Sequence, residues 1–198
     1  MRLRRLRRSE LPVGAVELAR FLIGAIVVRD DAAGRRAVRI VETEAYVPGD
    51  AAAHSYRGET PRNRSLFLSR GHAYVYFIYG TWFCLNVSAE ATGVGAGVLF
   101  RAGEPLAGIP AMERRRRGAT LRDLARGPGR LAEALDVTRA EDGLDMCAAG
   151  PLWLAAPHGA APRIGKSVRI GVTQEAHRLL RFYERDSPFV SGPRRINL

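Results

Sequence analysis

Ala73-Tyr74-Val75-Tyr76-Phe77-Ile78-Tyr79-Gly80-Thr81-Trp82-Phe83-Cys84-Leu85-Asn86-Val87-Ser88 is a run of β-branched and aromatic residues broken at Gly80. Such side chains suit a pleated, half-buried surface, so the run reads as two strands, Ala73 to Tyr79 and Trp82 to Ser88, paired about Gly80. Alternation puts Tyr74, Tyr76 and Ile78 on one face, while Cys84 reads as a buried small hydrophobe. Outward on the N-terminal side, Ala25 to Arg29 and Ala37 to Tyr46 form another strand pair around Asp30-Asp31-Ala32-Ala33-Gly34, with Glu44 near the far end. On the C-terminal side a Gly-rich connector, Glu90 to Gly97, leads to a strand from Val98 to Ala102 that carries Arg101.

The segments between are equally readable. Ser9 caps a helix expected from Pro12 to Leu22, which Gly24 stops. Val47 to Arg64 has no sustained period and is long for an idle connection, so its His54 and its Arg62, Asn63 and Arg64 invite a functional reading. The second half reads as more helical. Pro110 to Arg117 ends in a run of arginines, and Gly127-Pro128-Gly129 opens a helix from Arg130 to Leu135 that is either a plain start or an anion site. Leu152 to Leu154 and Val168 to Val172 read as short strands, Arg178 to Tyr183 as helical, and Ser187-Pro188 opens an irregular tail.

Composition narrows the classes. With 198 residues, 46% of them hydrophobic, one domain spanning 11–198 is expected after a basic tail, 1–10. A net charge of +11, carried almost wholly by arginine with Lys166 the only lysine, favours a polyanionic partner, nucleic acid before membrane. The tail reads as solvated rather than as a DNA-contacting arm. Two cysteines and four histidines make neither a disulfide framework nor a zinc set, so no metal is expected. Gly93, Gly95 and Gly97 lack the spacing and strand-to-helix setting of a dinucleotide fingerprint, and no cofactor is expected. No apolar run is long enough to span a bilayer, which leaves a cytoplasmic protein with no membrane partner, expected to be a monomer.

Glu44 stands two residues before Tyr46 at a strand exit, so a carboxylate and an aromatic plane face one side. A base beside a stacking surface suits hydrolysis of something flat. Aromatic planes interleaved with arginine are the equipment that holds unstacked bases. Taken alone, Glu44 reads as a surface salt bridge, and Tyr74 and Phe83 read as core.

Arg39-Ile40-Val41-Glu42-Thr43-Glu44-Ala45-Tyr46, Ala53-His54-Ser55, Thr60-Pro61-Arg62-Asn63-Arg64, Tyr74 to Gly80, Gly127-Pro128-Gly129-Arg130-Leu131, Leu180-Arg181-Phe182-Tyr183 and Ser187-Pro188 together resemble the alkyladenine (3-methyladenine) DNA glycosylase family. The resemblance implies a mixed α/β (α+β) fold, a single compact domain with a curved, mainly antiparallel sheet and surrounding helices. It implies a base-excision repair enzyme that flips damaged purines from double-stranded DNA and hydrolyses the N-glycosidic bond. Glu44 then corresponds to the general base, with Arg101 and the Ile170 carbonyl placing its water. Tyr46, His54 and Tyr76 correspond to the residues that sandwich the base, and Asn86 to the side chain that crowds guanine. Tyr79 corresponds to the wedge that fills the vacated stack. Thr81, Trp82, Arg62, Asn63, Arg64, Gly127, Gly129 and Arg130 correspond to the DNA contacts. Thr81-Trp82 and Ala51-Ala52-Ala53 depart from the pattern of relatives.

Lysine scarcity adds an expectation of no strand cleavage through an imine, because Lys166, in an apparent Gly-Lys-Ser loop, falls outside every one of these motifs. Two other readings compete: a non-catalytic module for damaged DNA or structured RNA, and a hydrolase of free nucleosides. The first has no use for a carboxylate in a pocket. The second commonly needs acidic metal clusters that the sequence lacks.

Overall fold

A computed structural model describes residues 2–157 and 159–197; Met1, His158 and Leu198 lie outside them. Along the described residues run α1 (Ala15–Phe21), β1 (Ile26–Asp31), β2 (Gly34–Tyr46), β3 (Ala73–Ile78), β4 (Trp82–Ser88), β5 (Gly97–Ala107), α2 (Ile109–Arg115), α3 (Pro128–Ala134), β6 (Leu152–Ala155), β7 (Ile164–Ser167) and β8 (Arg181–Glu184). The strands form one curled antiparallel sheet in the order β3-β4-β5-β2-β1-β6. β8 pairs with β2 at Glu42 to Glu44, beyond the part of β2 that β1 covers, and β7 extends the sheet from β8. The architecture is α+β, as the resemblance implied.

β2 is the axis of this sheet, and its irregularities place the site. Its pairing with β5 slips between Ile40 and Glu42 and again between Glu42 and Thr43. One extra residue in a strand reverses which side chains face the core. Val38 and Ile40 point into the main core, but so do Ala45 and, through its hydroxyl bond to the Ala19 carbonyl, Thr43. Glu42, Glu44 and Tyr46 are thereby turned to the opposite face. On β5 the slip leaves Arg101 unpaired between Phe100 and Ala102, so that it faces them. Without that reversal two glutamates would be driven into hydrocarbon.

The main core lies between the sheet and the helices, with Leu18 and Leu22 of the first helical region packed with Val75, Leu85, Val98, Phe100, Met112, Leu131 and Phe182. A smaller cluster on the site face holds Val41, Ala102, Tyr183 and Val190.

Several expectations are corrected. The first helix begins at Ala15, since Gly14 is its N-cap, with φ 105° and its N–H held by the Ala89 carbonyl; Ser9 sits in a separate turn of 3-10 helix. β5 runs on to Ala107 because β2 supplies partners as far back as Ala37. Val168 to Val172 is not a strand: the strand is Ile164–Ser167, and the following residues turn toward the site. Arg178 to Tyr183 is not helical, because Arg181–Glu184 is captured between β2 and β7. Lys166 lies within β7 and not in a loop.

The tail is not simply solvated. Leu6 is 1% exposed, its N–H donates to the Leu154 carbonyl, and the Ala156 N–H donates to the Arg4 carbonyl. Arg8 reaches Asp145 at 2.6 Å and the Ser69 hydroxyl at 2.8 Å. The arm thus adds to the β6 edge of the sheet.

Candidate active site

The reversed face of β2 meets β5, β8 and the segment after β7 at Glu44. Its side chain is fully buried. Oε1 accepts the Ile170 N–H at 2.8 Å and faces Arg101 Nη1 at 3.2 Å, and Oε2 accepts the Tyr46 hydroxyl at 2.9 Å. The reading of Glu44 as a surface salt bridge is excluded. A carboxylate offers about four lone-pair directions. Three are taken, and the one left is on Oε2.

Arg101 is nine-tenths buried or more, and it also reaches Glu42 Oε1 at 3.2 Å and, at the long distance of 3.5 Å, the Ile170 carbonyl. Burial works against its charge, but Glu44 and Glu42 more than offset this and hold it cationic. The phenol of Tyr46 is pushed far up, by burial first and then by Glu44, so it stays protonated and donates. Burial likewise holds the Tyr76 phenol protonated.

Two cavities adjoin this group. One, of about 300 Å³, is lined by Tyr46, His54, Tyr74, Tyr76, Asn86 and Gln174 among others. The second, of about 500 Å³, is lined by Arg101, Ile170, Tyr79, Trp82 and the Gly127-Pro128-Gly129-Arg130 turn. They share Tyr46, Tyr76, Ile78, Gly171 and Val172, and both fall in the range of small-molecule sites. Glu44 itself lines neither. It lies behind a wall made by Tyr46, Arg101 and Ile170.

The smaller cavity is an aromatic box. His54 meets Tyr76 edge-on with centroids 4.5 Å apart, and its Nδ1 lies 2.9 Å from the Tyr74 hydroxyl. Its pKa is lowered by burial and by Arg62, which favours the neutral ring. Asn86 is buried, its Nδ2 donating to the Tyr74 carbonyl at 3.2 Å. Tyr74, whose phenol is pushed up to about 12 by burial, belongs both to this box and to the buried set that its strand position suggested.

The β3–β4 turn projects Tyr79, which is 82% exposed. Three residues, Tyr79 to Thr81, join the paired Ile78 and Trp82, and Tyr79 and Gly80 both have positive φ, 54° and 65°. Glycine adopts that conformation freely and tyrosine does not, so the turn holds an aromatic ring outward at a cost in strain. Thr81 is exposed, its hydroxyl donating to the Tyr79 carbonyl at 3.3 Å. Trp82 is half-buried against Gly129, where a Cβ would come within 3.1 Å of its side chain. The tryptophan therefore anchors the hairpin to the start of α3 and does not project beside Tyr79.

Arg62, Arg64 and Arg130 are exposed, and Arg130 has only a 3.6 Å approach to Asp123. Asn63, between the two loop arginines, is turned into the loop. It is 4% exposed, its Oδ1 accepts the Thr60 N–H, and its Nδ2 donates to the His54 and Gly58 carbonyls. Its amide organises the loop, with both oxygen and nitrogen engaged.

Sequence reasoning did not single out four side chains of the site. Arg169 and Asp50, both fully buried, form a two-pronged ion pair, with Arg169 stacked 4.7 Å from the centre of the Tyr46 ring. Glu42 pairs with Arg181 at 2.5 Å, also without exposure. The available signal was a charged residue inside each apolar strand run, Glu42 beside Val41 and Arg181 between Leu180 and Phe182. Among the described residues no group of three His, Cys, Asp or Glu side chains could hold a metal ion. Nor is any helix among them long and apolar enough to cross a membrane.

Comparison with known proteins adds an independent finding. The methylpurine-DNA glycosylase family model matches residues 10–188. A protein of Mesorhizobium japonicum named "Putative 3-methyladenine DNA glycosylase" is 62% identical over 96% of this chain and 91% of its own length. Similar proteins of the same name from Paraburkholderia phytofirmans and Methanocella arvoryzae are 51% and 46% identical, over 96% and 89% of this chain and 89% and 90% of their own lengths.

Proposed function

The chain belongs to the methylpurine-DNA glycosylase family, and on that premise we propose that it hydrolyses the N-glycosidic bond of a damaged purine extruded from duplex DNA. The observation that carries this reading is Glu44, held by Arg101, the Ile170 N–H and the Tyr46 hydroxyl immediately behind the junction of two cavities.

The flipped base enters the smaller cavity between Tyr46 on one side and Tyr76 with His54 on the other. Its sugar lies at the junction with the larger cavity. There the free direction on Glu44 Oε2 takes a proton from a water that attacks C1′. An N-alkylated purine is cationic and already a good leaving group, so one base and an electron-rich cage suffice. The neutral state favoured at His54 suits that cation, since a protonated ring would repel it. For a neutral deaminated purine, His54 is the candidate donor to the leaving base. Extrusion itself costs a few kcal/mol, least for a damaged or mispaired base, so part of the discrimination precedes the pocket. Tyr79 fills the gap left in the stack, and Arg62, Arg64 and Arg130 meet phosphates. All these parts come from one chain, in keeping with a monomer.

The test uses a duplex with a single 1,N6-ethenoadenine or hypoxanthine, in chelator, comparing wild type with Glu44→Gln. Base release by the wild type, a loss of about a hundredfold or more in the variant and unchanged DNA affinity are expected. Equal release by both proteins overturns Glu44 as the base. DNA binding without release by either supports the binding-module reading instead. The same reactions should leave the strand uncut, since Lys166 is exposed on β7 and lines neither cavity. β-Elimination product would refute that part alone.

A further inference from the structure

The proposed reaction uses one carboxylate, whereas the fold buries two side by side. Resting on the reading of Glu44 as the base, we infer that Glu42 is a positioning residue that keeps Glu44 basic by sharing the charge of Arg101.

Glu42 is fully buried, and its partners Arg181 and Ser191 line neither cavity, whereas Glu44 sits directly behind Tyr46, Arg101 and Ile170, which do. Its Oε1 accepts Arg101 Nε at 3.2 Å and Arg181 Nε at 2.5 Å, and its Oε2 accepts the Ser191 N–H at 2.7 Å. Arg101 is thus gripped from both ends, Nε by Glu42 and Nη1 by Glu44 at 3.2 Å. Arg181 is anchored separately, by the Ser167 hydroxyl, the Ser191 carbonyl and Asn197 Oδ1. Glu42, Glu44, Arg101 and Arg181 make a neutral set of two carboxylates and two guanidiniums, each less than a tenth exposed.

In so dry a place the partition of charge decides proton affinity. If Arg101 faced Glu44 alone, its whole positive charge would stabilise that carboxylate, which would then be a poor base. Glu42 places a second negative charge on the same guanidinium, and that like charge raises the affinity of Glu44 for a proton. Glu42 itself stays ionised. Burial opposes its charge, but Arg101 and Arg181 overcome this and hold its carboxyl below the ordinary range. The Ser191 contact also ties the segment after β8 to the pair.

The other groups that face Glu44 are accounted for. Tyr46 comes from its own strand, Cys84 from β4, the Ile170 backbone from the segment after β7, and Arg169 from behind the Tyr46 ring. Tyr46 and Cys84 are both held in their neutral forms by burial. Arg169 is matched by Asp50. That leaves Glu42 as the neighbouring negative charge bound to the same guanidinium.

The experiment measures single-turnover base release against pH for wild type, Glu42→Gln, Glu42→Asp and Glu44→Gln on the hypoxanthine duplex. Glu42→Gln should move the acid limb down by about one pH unit or more and lower the plateau rate about tenfold, with DNA affinity unchanged. Glu42→Asp keeps the charge and should keep the limb at the wild-type position, whatever it loses in thermal stability. Partial unfolding of Glu42→Gln scales the amplitude but does not move the limb. A Glu42→Gln limb at the wild-type pH overturns the inference and leaves the function standing. Undiminished release by Glu44→Gln removes the base itself, and the inference falls with it.

Discussion

His54 shows how much a single ring contributes before any substrate arrives. Its outer edge is exposed while its inner edge abuts Tyr76, and burial together with Arg62 lowers its pKa from 6.5. A group whose folded pKa is depressed gives its stability above the unfolded value and loses it as pH falls through the folded one. The neutral imidazole is therefore the resting form at neutral pH, and acidification should weaken both the box and its grip on a cationic purine. NMR of isotope-labelled histidine should give a His54 midpoint below 6.5, and Arg62→Gln should raise it. An unmoved midpoint would remove Arg62 as a cause. At this scale the site was partly legible. Glu44, Tyr46 and Tyr76 follow from spacings within a strand, but Asp50 finds Arg169 across 119 residues and Glu42 finds Arg181 across 139. Nothing local marks such partners except that a charge interrupts an apolar run.

Elements were legible where their stabilising contacts are local. The β3–β4 hairpin and the β1–β2 pair stand where alternation and turn residues put them, because each strand finds its partner across a short turn. β8 was read as helix because Leu179, Leu180, Phe182 and Tyr183 have no clean period of two. Pairing with β2 and β7 overrides that weak preference. The bulges that turn Glu42 and Glu44 off the core face could not be read at all, since register is a property of two strands and not of one. The Tyr79 turn offers a test of strain against function. Asparagine enters the left-handed region more readily than tyrosine, so Tyr79→Asn should raise stability by up to about 1 kcal/mol in denaturant melts. It should also lower base release, because the exposed ring is gone. A variant that is both more stable and fully active would show that the strained ring serves no step in extrusion.

For the whole molecule, the net charge of +11 does not say which of the 31 basic residues DNA meets. Arg29, Arg36, Arg39, Arg101, Arg169 and Arg181 are spent in internal ion pairs. At the arm, Glu10 engages Arg4 and Arg7, and its carboxyl is held down to about 2 by the hydrogen bond from Arg4, with the Arg7 backbone next. The arm lies along Leu154 and Ala156 and reaches Ser69, four residues before β3 begins, whereas the Tyr79 turn is at the other end of that strand. Arg62, on the loop that carries His54, is exposed beside the aromatic box, and Arg64 follows it at the surface. Each phosphate neutralised contributes a slope of about −0.9 in log affinity against log salt. The pair Arg62→Gln and Arg64→Gln should therefore flatten that slope by about two, while Arg2→Gln, Arg4→Gln and Arg7→Gln together should leave it unchanged. Fluorescence-anisotropy titrations of one lesion duplex across a salt series read both. If the arm variant flattens the slope as much as the loop variant, the duplex must run down the β6 side of the sheet. The binding track would then not be the one that begins at Tyr79.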